Sequence, residues 1–449
     1  MMDFFTFLEE SPTAHHVTST VTQILKEAGF REFKSGGVNG EAAEGYYLRR
    51  GTGFLAALRP GSAPLAEAGA RITLAHTDSP ALQLKVRGVS EKGSLRTAPI
   101  EVYGSPIIST WLDRPLEIAG TIAISGAEGP ELHPVRTGRA VGVIPNLAIH
   151  LNRKVNEGFS YEKQTHLRPL LEEGLLEPTI QEGLCRRAGL PVEHLLDWEL
   201  YLILWQKPEP WGFGESGYYS ASRIDNLAGV YANLQALLAA SSGEATQVAI
   251  FFDHEEVGSL SRTGARSPFV LQLLQELLAG ELGRSGPRRV GATVRGSGSD
   301  VSEREAALWN VIERSLLLSN DATHGNHPNY PEKLDPAYLP ELGKGPAIKL
   351  SAVRRYATEP EAVAVLRLVA EEAGVPLQEI QNRADVPAGT TVGPMSAGGS
   401  LIPTVDLGVP ILAMHSAVET GHLGDIGQMS RLITTFYGSH QPSRSSKIF

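Results

Sequence analysis

The chain has 449 residues, of which 42% are hydrophobic and 20% are charged, and this length predicts roughly two or three globular domains. Its net charge of -10 excludes nucleic acid as a first-choice partner, because the phosphate backbone would be repelled. The apolar runs are shorter than a membrane span, and the N-terminal residues lack the basic and long apolar regions of a secretion signal. A single cysteine, Cys185, excludes an internal disulfide and fits a reducing compartment, so we expect a cytoplasmic protein with no membrane partner.

The N-terminal part of the chain predicts a helix followed by strands. Apolar residues recur with helical spacing between Thr13 and Ala28, and Gly29 suits the C-terminal cap of that helix. Residues 45–58 predict short strands. The run Arg71–His76 is β-prone and ends in polar residues, as strands do when their C-terminal ends carry chemistry.

Two later apolar runs, Gln247–Phe252 and Val409–Met414, predict buried strands that also end at polar residues. Apolar residues line one face of a predicted helix at residues 227–238 and of another at residues 363–370. Because these strands alternate with helices, the sequence predicts an α/β fold with a mostly parallel sheet covered by helices.

Residues 86–217 predict a different kind of structure. The runs Leu116–Ser125 and Ala140–Leu151 alternate in polarity as strands do, and the Pro-rich stretch at 208–212 is typical of a boundary. We therefore expect a β-rich domain at 86–217, inserted into an α/β domain formed by residues 1–85 and 218–449.

Several polar clusters fall at predicted strand ends or helix starts. They contain carboxylates and imidazoles but no thiolate, which is the ligand set of catalytic zinc or a similar divalent ion. The clusters are His76-Thr77-Asp78, Asp225-Asn226, His254-Glu255-Glu256, Asp321 with His324 and His327, and His415.

The adjacent acids Glu255 and Glu256 follow a buried strand directly, where two carboxylates are costly to bury unless cations compensate their charge. Neighbouring residues point in different directions, so one carboxylate can bind an ion while the other takes a proton from water. In the same way, His76 can bind an ion while Asp78 orients it. Each cluster also has an ordinary structural interpretation, such as a solvated Glu-Glu pair or Asp225 as a helix N-cap. Their shared position at element ends favours a common site.

The order of these motifs closely resembles that of the aspartyl aminopeptidases, within the wider group of two-zinc exopeptidases. The resemblance covers nearly the whole chain. The segments that carry it are AHTDSPALQLK at 75–85, SRIDNLAG at 222–229, FFDHEEVGS at 251–259, SNDATHGNHPNY at 319–330, KGPAIKL at 344–350, RRYAT at 354–358, PAGTTVGP at 387–394 and LGVPILAMHS at 407–416.

The resemblance implies a zinc-dependent aminopeptidase that hydrolyses the N-terminal residue of peptide substrates. It implies two divalent ions per chain, zinc with cobalt or manganese as alternatives. Asp225 would bridge both ions, His76 and Asp321 would complete one site, and Glu256 and His415 the other.

The same resemblance implies the catalytic residues. Glu255 would be the general base that activates a metal-bridged water, and Asp78 would lie behind His76. The peptide bond between Asp225 and Asn226 is expected to be cis. The family commonly has asparagine at the position of His254.

Positions that would contact substrate are implied as well. Lys349 and Tyr356 match positions that line the pocket for the N-terminal side chain, and the lysine would favour acidic residues there. His324 and His327 would lie near the substrate. His150 would reach a neighbouring active site, in a homododecamer built from dimers through the inserted dimerisation or lid domain.

Two alternatives stay open from the residues alone. One is another two-zinc amidohydrolase or a carboxypeptidase on the same scaffold, which would need a positive group to hold a substrate carboxylate. The other is an inactive homologue retained as an oligomeric scaffold, which would have no need for buried carboxylates that require metal.

Overall fold

The computed structural model describes residues 2–33, 43–85, 88–92, 95–171, 179–213, 216–285 and 298–439. Within these ranges the chain forms a mostly parallel, helix-covered sheet and a second, antiparallel sheet, so the predicted α/β fold with a β-rich insertion is confirmed. No helix in the same ranges combines the length and apolarity needed to cross a bilayer.

The main sheet is parallel at its centre and mixed at its edges. Thr246–Phe252 and Leu316–Asn320 both pair in parallel with Ala70–His76, which lies between them. The strands of this sheet, in spatial order, are Phe30–Glu32, Gly45–Arg50, Phe54–Arg59, Thr246–Phe252, Ala70–His76, Leu316–Asn320, Thr404–Gly408, Ala347–Leu350 and Gln378–Gln381.

Thr246–Phe252 shows why the central strands are apolar throughout. Phe251 packs into the hydrophobic core on one face of the sheet, whereas Ile250 and Phe252 pack into the core on the other face. A strand buried on both faces has no polar face to alternate with, so it is a continuous apolar run in the sequence. Each such side chain contributes about 1.5–3 kcal/mol by leaving water.

The predicted helices are present with nearly the expected ends. They are Ala14–Glu27, Ile224–Ala239 and Pro360–Ala373, and Gly374 ends the last of them at φ +61. The other α-helices of the described ranges are Phe4–Glu10, Leu65–Ala68, Lys163–His166, Ile180–Arg187, Phe269–Ser285, Gly298–Arg314, Val392–Ser400 and Leu423–Gly438. Short 3-10 helices lie at Ile108–Trp111, Val155–Glu157, Val192–His194, Glu255–Val257 and Pro331–Lys333.

The second sheet has its own hydrophobic core and is built mostly from the predicted insertion. Its strands, in spatial order, are Ser90–Lys92, Leu95–Thr97, Leu170–Leu171, Gly142–Val143, Leu116–Gly126, Leu195–Leu204, Ala81–Leu84 and Ile100–Tyr103, and Gly129–Arg136 pairs with Leu116–Gly126. The predicted run at 116–125 is thus the strand Leu116–Gly126. Within Ala140–Leu151, however, only Gly142–Val143 is a strand, since Pro145 has no N-H to continue a ladder.

The predicted domain boundary at 85/86 adjoins residues 86–87, which lie outside the described ranges. The predicted boundary places Ala81–Leu84 in the α/β domain, yet this strand pairs with the second sheet, because Leu82 and Leu84 pack into the second core. The division into two domains with these limits stays a prediction.

The predicted strand Val409–Met414 is wrong. The main-sheet strand is Thr404–Gly408, and a separate two-residue strand, Pro410–Ile411, pairs with Thr323–His324. At Gly408 the chain passes so close to the backbone of Asp321 that a side chain would not fit, and Pro410 then lacks an N-H. A further small sheet contains Glu209–Pro210, Tyr218–Ala221 and Glu419–His422.

His15 ties the first predicted helix to the second sheet. Its Nδ1 lies 2.9 Å from the Thr121 hydroxyl of Leu116–Gly126, and the side chain is 5% exposed. Burial, with the positive charge of Arg49, lowers the pKa of His15 to about 4.

This pKa predicts a loss of stability in acid. Because the folded-state pKa lies below the usual value, His15 contributes stability above pH 6.5 that is lost as the pH falls towards 4. His15→Gln should therefore reduce the drop in melting temperature between pH 7 and pH 4.5, measured by differential scanning calorimetry. His194→Gln, at an exposed histidine, is the control. An equal drop in wild type and both variants would contradict the prediction.

Candidate metal centre

The polar clusters meet at one edge of the main sheet. His76 ends its strand, Glu255 and Glu256 follow Thr246–Phe252, and Asp321 comes directly after Leu316–Asn320. These strands are parallel neighbours, with Phe252 opposite His76, so their C-terminal ends meet.

Asp225 arrives from the start of the helix Ile224–Ala239. The backbone is not helical at Asp225 and Asn226, and the peptide bond between them is cis, as the resemblance implied. The side-chain amide of Asn226 donates from Nδ2 to the backbone carbonyl of Asn320 at 2.9 Å, which connects the start of the helix to the end of the strand Leu316–Asn320.

The ligand atoms of His76, Asp225 and Asp321 lie within 4.8 Å of one another. His76 Nε2 is 3.4 Å from Asp225 Oδ1 and 3.3 Å from Asp321 Oδ1. All three residues are buried.

The ligand atoms of Asp225, Glu256 and His415 form a second such group. His415 Nε2 is 3.6 Å from Asp225 Oδ2 and 3.3 Å from Glu256 Oε2. The structure therefore brings the predicted metal ligands together, and the oxygens of Asp225 face different histidines.

Hydrogen bonds at Nδ1 orient both histidines. His76 Nδ1 lies 3.0 Å from the backbone oxygen of Asp78, and His415 Nδ1 lies 3.1 Å from that of Ser105. A carbonyl oxygen only accepts, so each Nδ1 donates, and in a neutral ring Nε2 then carries a lone pair. Each Nε2 faces carboxylate oxygens, which repel that lone pair unless a cation lies between them.

The spacing of the ligand atoms fits divalent ions. Zinc lies about 2.0–2.1 Å from nitrogen and oxygen ligands in a tetrahedron, which places ligand atoms about 3.3 Å apart. The observed separations, 3.3 to 3.6 Å, agree with this value. Asp225 Oδ1, Glu256 Oε1 and Asp321 Oδ1 are also buried without a hydrogen-bond partner, as metal-ligating atoms are.

The protein part of the site is strongly repulsive. Burial and Asp225 raise the pKa of Glu256 well above its usual value, and burial with nearby carboxylates outweighs His76 to raise the pKa of Glu255 to about 8. Burial opposes the proton of His415, yet Asp225 raises the pKa of that imidazole to about 9. Divalent cations would relieve this repulsion without protons.

Asp78 holds the ligand-bearing segments together. Its Oδ1 accepts the backbone N-H of Glu255 and its Oδ2 that of Glu256, each at 3.1 Å. Its backbone oxygen accepts from His76, so the prediction that Asp78 lies behind His76 describes only part of its contacts. The hydroxyl of Tyr103 also donates to Oδ2, at 2.7 Å.

Glu419 and Tyr103 also support the site, and neither residue is predicted from the sequence. Glu419 is 2% exposed, and its carboxylate accepts the backbone N-H of Asp225 at 3.1 Å and of His415 at 2.8 Å. Nothing in the sequence marks these residues, because backbone amides carry no sequence signature and Tyr103 resembles any half-buried strand residue.

A cleft of about 180 Å³ opens beside the metal ligands. Its lining includes Glu255 and the predicted substrate-binding residues His324, Lys349 and Tyr356. Lys349 is 3% exposed, with Nζ 3.1 Å from Asp321 Oδ2 and 5.6 Å from the centre of the Tyr356 ring. It is therefore a buried cation in the cleft wall, not a surface lysine.

The other predicted residues lie away from this cleft. The ring of His327 stacks obliquely against Tyr330, with centroids 4.9 Å apart, and lies outside the cleft lining. His150 is exposed on a turn of the β-rich part. His254 adopts φ +61, a left-handed conformation in which histidine and asparagine are enriched among non-glycine residues.

The chain matches the family of aminopeptidase I zinc metalloproteases, M18, over residues 7–437. It is 34% identical to the probable M18 family aminopeptidase 2 of Pseudomonas aeruginosa (strain UCBPP-PA14), covering 97% of both chains. Its fold resembles a chain in the solved Ape4 and Nbr1 complex, with a TM-score of 0.87, 28% identity, and coverage of 97% of this chain and 85% of that one.

The fold also resembles that of the S. cerevisiae mApe1 dodecamer, with a TM-score of 0.78 and 22% identity over 97% of this chain and 95% of that chain. The family match spans nearly the whole chain and includes the segments that carry the candidate metal ligands. The chain therefore belongs to the M18 aminopeptidase family, the zinc metalloproteases that hydrolyse peptide bonds to release N-terminal residues.

Proposed function

We propose that this aminopeptidase works with two zinc ions bridged by Asp225. The observation that carries the proposal is the opposite orientation of its carboxylate oxygens, Oδ1 towards His76 and Oδ2 towards His415. His76 and Asp321 would complete one site, and Glu256 and His415 the other. Cobalt or manganese could take the same ligands.

Charge balance supports a pair of ions. The carboxylates of Asp225, Glu255, Glu256 and Asp321 together carry four negative charges when ionised, and Lys349, paired with Asp321, offsets one of them. A single dication would leave a net negative charge in a site whose ligands are mostly buried, which is costly.

Zinc ions held by these residues would supply Lewis acidity, to polarise a peptide carbonyl and to lower the pKa of water. Glu255 is the proposed general base: its carboxylate lines the cleft, and Oε2 lies 4.0 Å from His76 Nε2. It takes the proton of the attacking water and returns it to the leaving amine. Asp78 holds the backbone of Glu255 and so fixes the direction from which the base acts.

Lys349 supports a preference for acidic N-terminal residues. Burial would lower the pKa of its ammonium group, but Asp321 raises it, so the group stays charged. When Asp321 shares its charge with a bound ion, Lys349 is left as a positive group beside Tyr356 and His324 in the cleft wall. We also propose, from the resemblance, that His327 and His150 contact the substrate. The contact of His150 requires a second chain.

Self-association into a homododecamer built from dimers is part of the proposal. The mApe1 relative of similar fold is a dodecamer. In this chain the segment around His150 exposes Leu147, Ile149 and Leu151 by 57%, 47% and 74%, an apolar surface typical of an interface. Such an assembly would restrict access to short peptides. The expected cytoplasmic location stays a prediction.

Zinc content tests the bridging role. Wild-type protein should bind about two zinc ions per chain, and Asp225→Asn should lose most of this zinc because both sites share that carboxylate. Elemental analysis after dialysis measures it. Asp253→Asn is the matched control, since Asp253 is a buried acid beside His254 that lies outside the ligand groups. Full zinc content in Asp225→Asn would refute the bridge.

The neighbouring acids should separate catalysis from metal binding. Glu255→Gln should retain zinc and lose about 10²- to 10⁴-fold in kcat, because only the base is removed. Glu256→Gln should instead lower zinc affinity. Steady-state kinetics and zinc titration measure kcat and zinc affinity in both variants. Near-normal turnover by Glu255→Gln would exclude Glu255 as the base.

Substrate panels test the reaction and its specificity. Wild-type protein should cleave aminoacyl-nitroanilides that have a free amine and leave their N-acetyl forms intact. It should cleave the Asp and Glu compounds faster than the Leu and Ala compounds. Lys349→Met should lower kcat/KM for Asp and Glu substrates by about 10- to 100-fold relative to Leu, as expected for one charge-assisted hydrogen bond. Lys333→Met, at an exposed lysine, is the control.

Cleavage of the acylated compounds alone would indicate an amidohydrolase. If zinc-loaded protein cleaves none of the compounds, the chain would instead be an inactive scaffold. An unchanged ratio of Asp to Leu activity in Lys349→Met would remove that lysine from substrate selection.

A further inference from the structure

The β-rich part of the chain contacts the candidate metal centre through the side chain of Tyr103. Tyr103 ends the strand Ile100–Tyr103 at the edge of the second sheet, and its hydroxyl donates to Asp78 Oδ2 at 2.7 Å. We propose that Tyr103 is a positioning residue of the metal centre, which holds the Asp78 carboxylate in the orientation that fixes both a metal ligand and the general base. The inference rests on the proposed two-zinc function.

The Asp78 carboxylate can position both residues because each of its oxygens binds a different backbone N-H group. Oδ1 accepts from the backbone of Glu255, and Oδ2 accepts from that of Glu256. Oδ1 also lies 3.4 Å from His76 Nδ1. The terminal torsion of an aspartate has a broad energy minimum, so the carboxylate needs partners to hold one angle. A rotation would disturb the base and both adjacent ligands together.

Tyr103 is well placed to supply that hold. Asp78 is 4% exposed, so loss of the phenol hydroxyl leaves a buried carboxylate oxygen with one donor fewer. The ring of Tyr103 packs edge-on against that of Tyr201, with centroids 5.7 Å apart, and both rings line a cavity of about 60 Å³ that also contacts Asp78. The edge-on contact with Tyr201 constrains the direction from which the phenol approaches Asp78.

The same segment contacts the other end of the centre. The backbone oxygen of Ser105 accepts from His415 Nδ1, and the backbone N-H of Ile107 donates to the carbonyl of His415 at 2.9 Å. Residues 103–107 thus touch the support of His76 and the ring of His415 at once. The insertion consequently takes part in the site within one chain, apart from any role in assembly.

The test compares Tyr103→Phe with Tyr201→Phe. Each variant deletes one phenol oxygen and keeps the ring, and each hydroxyl donates to a carboxylate at 2.7 Å, but that of Tyr201 binds Glu199, which is not a metal-site residue. Tyr103→Phe should weaken zinc binding about tenfold in competition with a chelator, and lower kcat about tenfold with little change in KM. Tyr201→Phe should leave both quantities near wild type.

A double-mutant cycle tests the route of the effect. If Tyr103 acts through the Asp78 carboxylate, adding Tyr103→Phe to Asp78→Asn should change zinc affinity less than twofold. Melting temperatures of the metal-free proteins should fall by similar amounts in both phenylalanine variants, which separates positioning from general stability.

The possible outcomes are distinct. Wild-type protein that binds no zinc would overturn the two-zinc proposal itself. Wild-type zinc binding with unchanged affinity and kcat in Tyr103→Phe would overturn only the role of Tyr103, and so would equal losses in both phenylalanine variants. A tenfold loss confined to Tyr103→Phe, and absent on the Asp78→Asn background, would support it.

Discussion

Several acids are buried close together in this structure, and their mutual repulsion governs how the candidate metal centre is built. Asp225, Glu256 and Asp321 converge at the C-terminal edge of the main sheet, where water does not screen their mutual repulsion. Nearby basic side chains reduce this repulsion: His76 and His415 lie between the carboxylates, and Lys349 pairs with Oδ2 of Asp321. The remaining deficit of positive charge is what a zinc protease fills with its ions.

Several of the candidate metal ligands are held through hydrogen bonds from their backbone N-H groups. Asp78 accepts N-H groups from Glu255 and Glu256, and Glu419 accepts those of Asp225 and His415, so each supporting carboxylate joins two chain positions. Such hydrogen bonds fix the position of the backbone from which each candidate ligand side chain extends. They also concentrate more negative charge near the site, which favours cation binding further.

The turns that present the ligands share an uncommon backbone conformation. Arg223, His254 and His415 all have φ between +61 and +67, although none of them is glycine. The left-handed region costs a residue with a side chain about 1–2 kcal/mol, and it recurs where a chain must turn sharply to direct a functional group. The cost is offset by the surrounding packing, since the sheet beneath is buried on both faces.

The residue pattern predicted the central strands and the acidic and imidazole residues at their ends, where the candidate site lies. Polar residues follow Arg71–His76 and Gln247–Phe252 directly, and two acids after a buried strand are hard to explain without cations; family motifs then supplied the pairing of Asp225 with distant histidines. Three features depend on long-range packing and appear only in the folded chain: the main-sheet strand ends at Gly408, Ala81–Leu84 joins the second sheet, and Lys349 is buried. The contacts of Tyr103 and Glu419 likewise appear only in the folded chain, because they join residues remote in sequence through backbone amides and single oxygens that leave no periodic pattern.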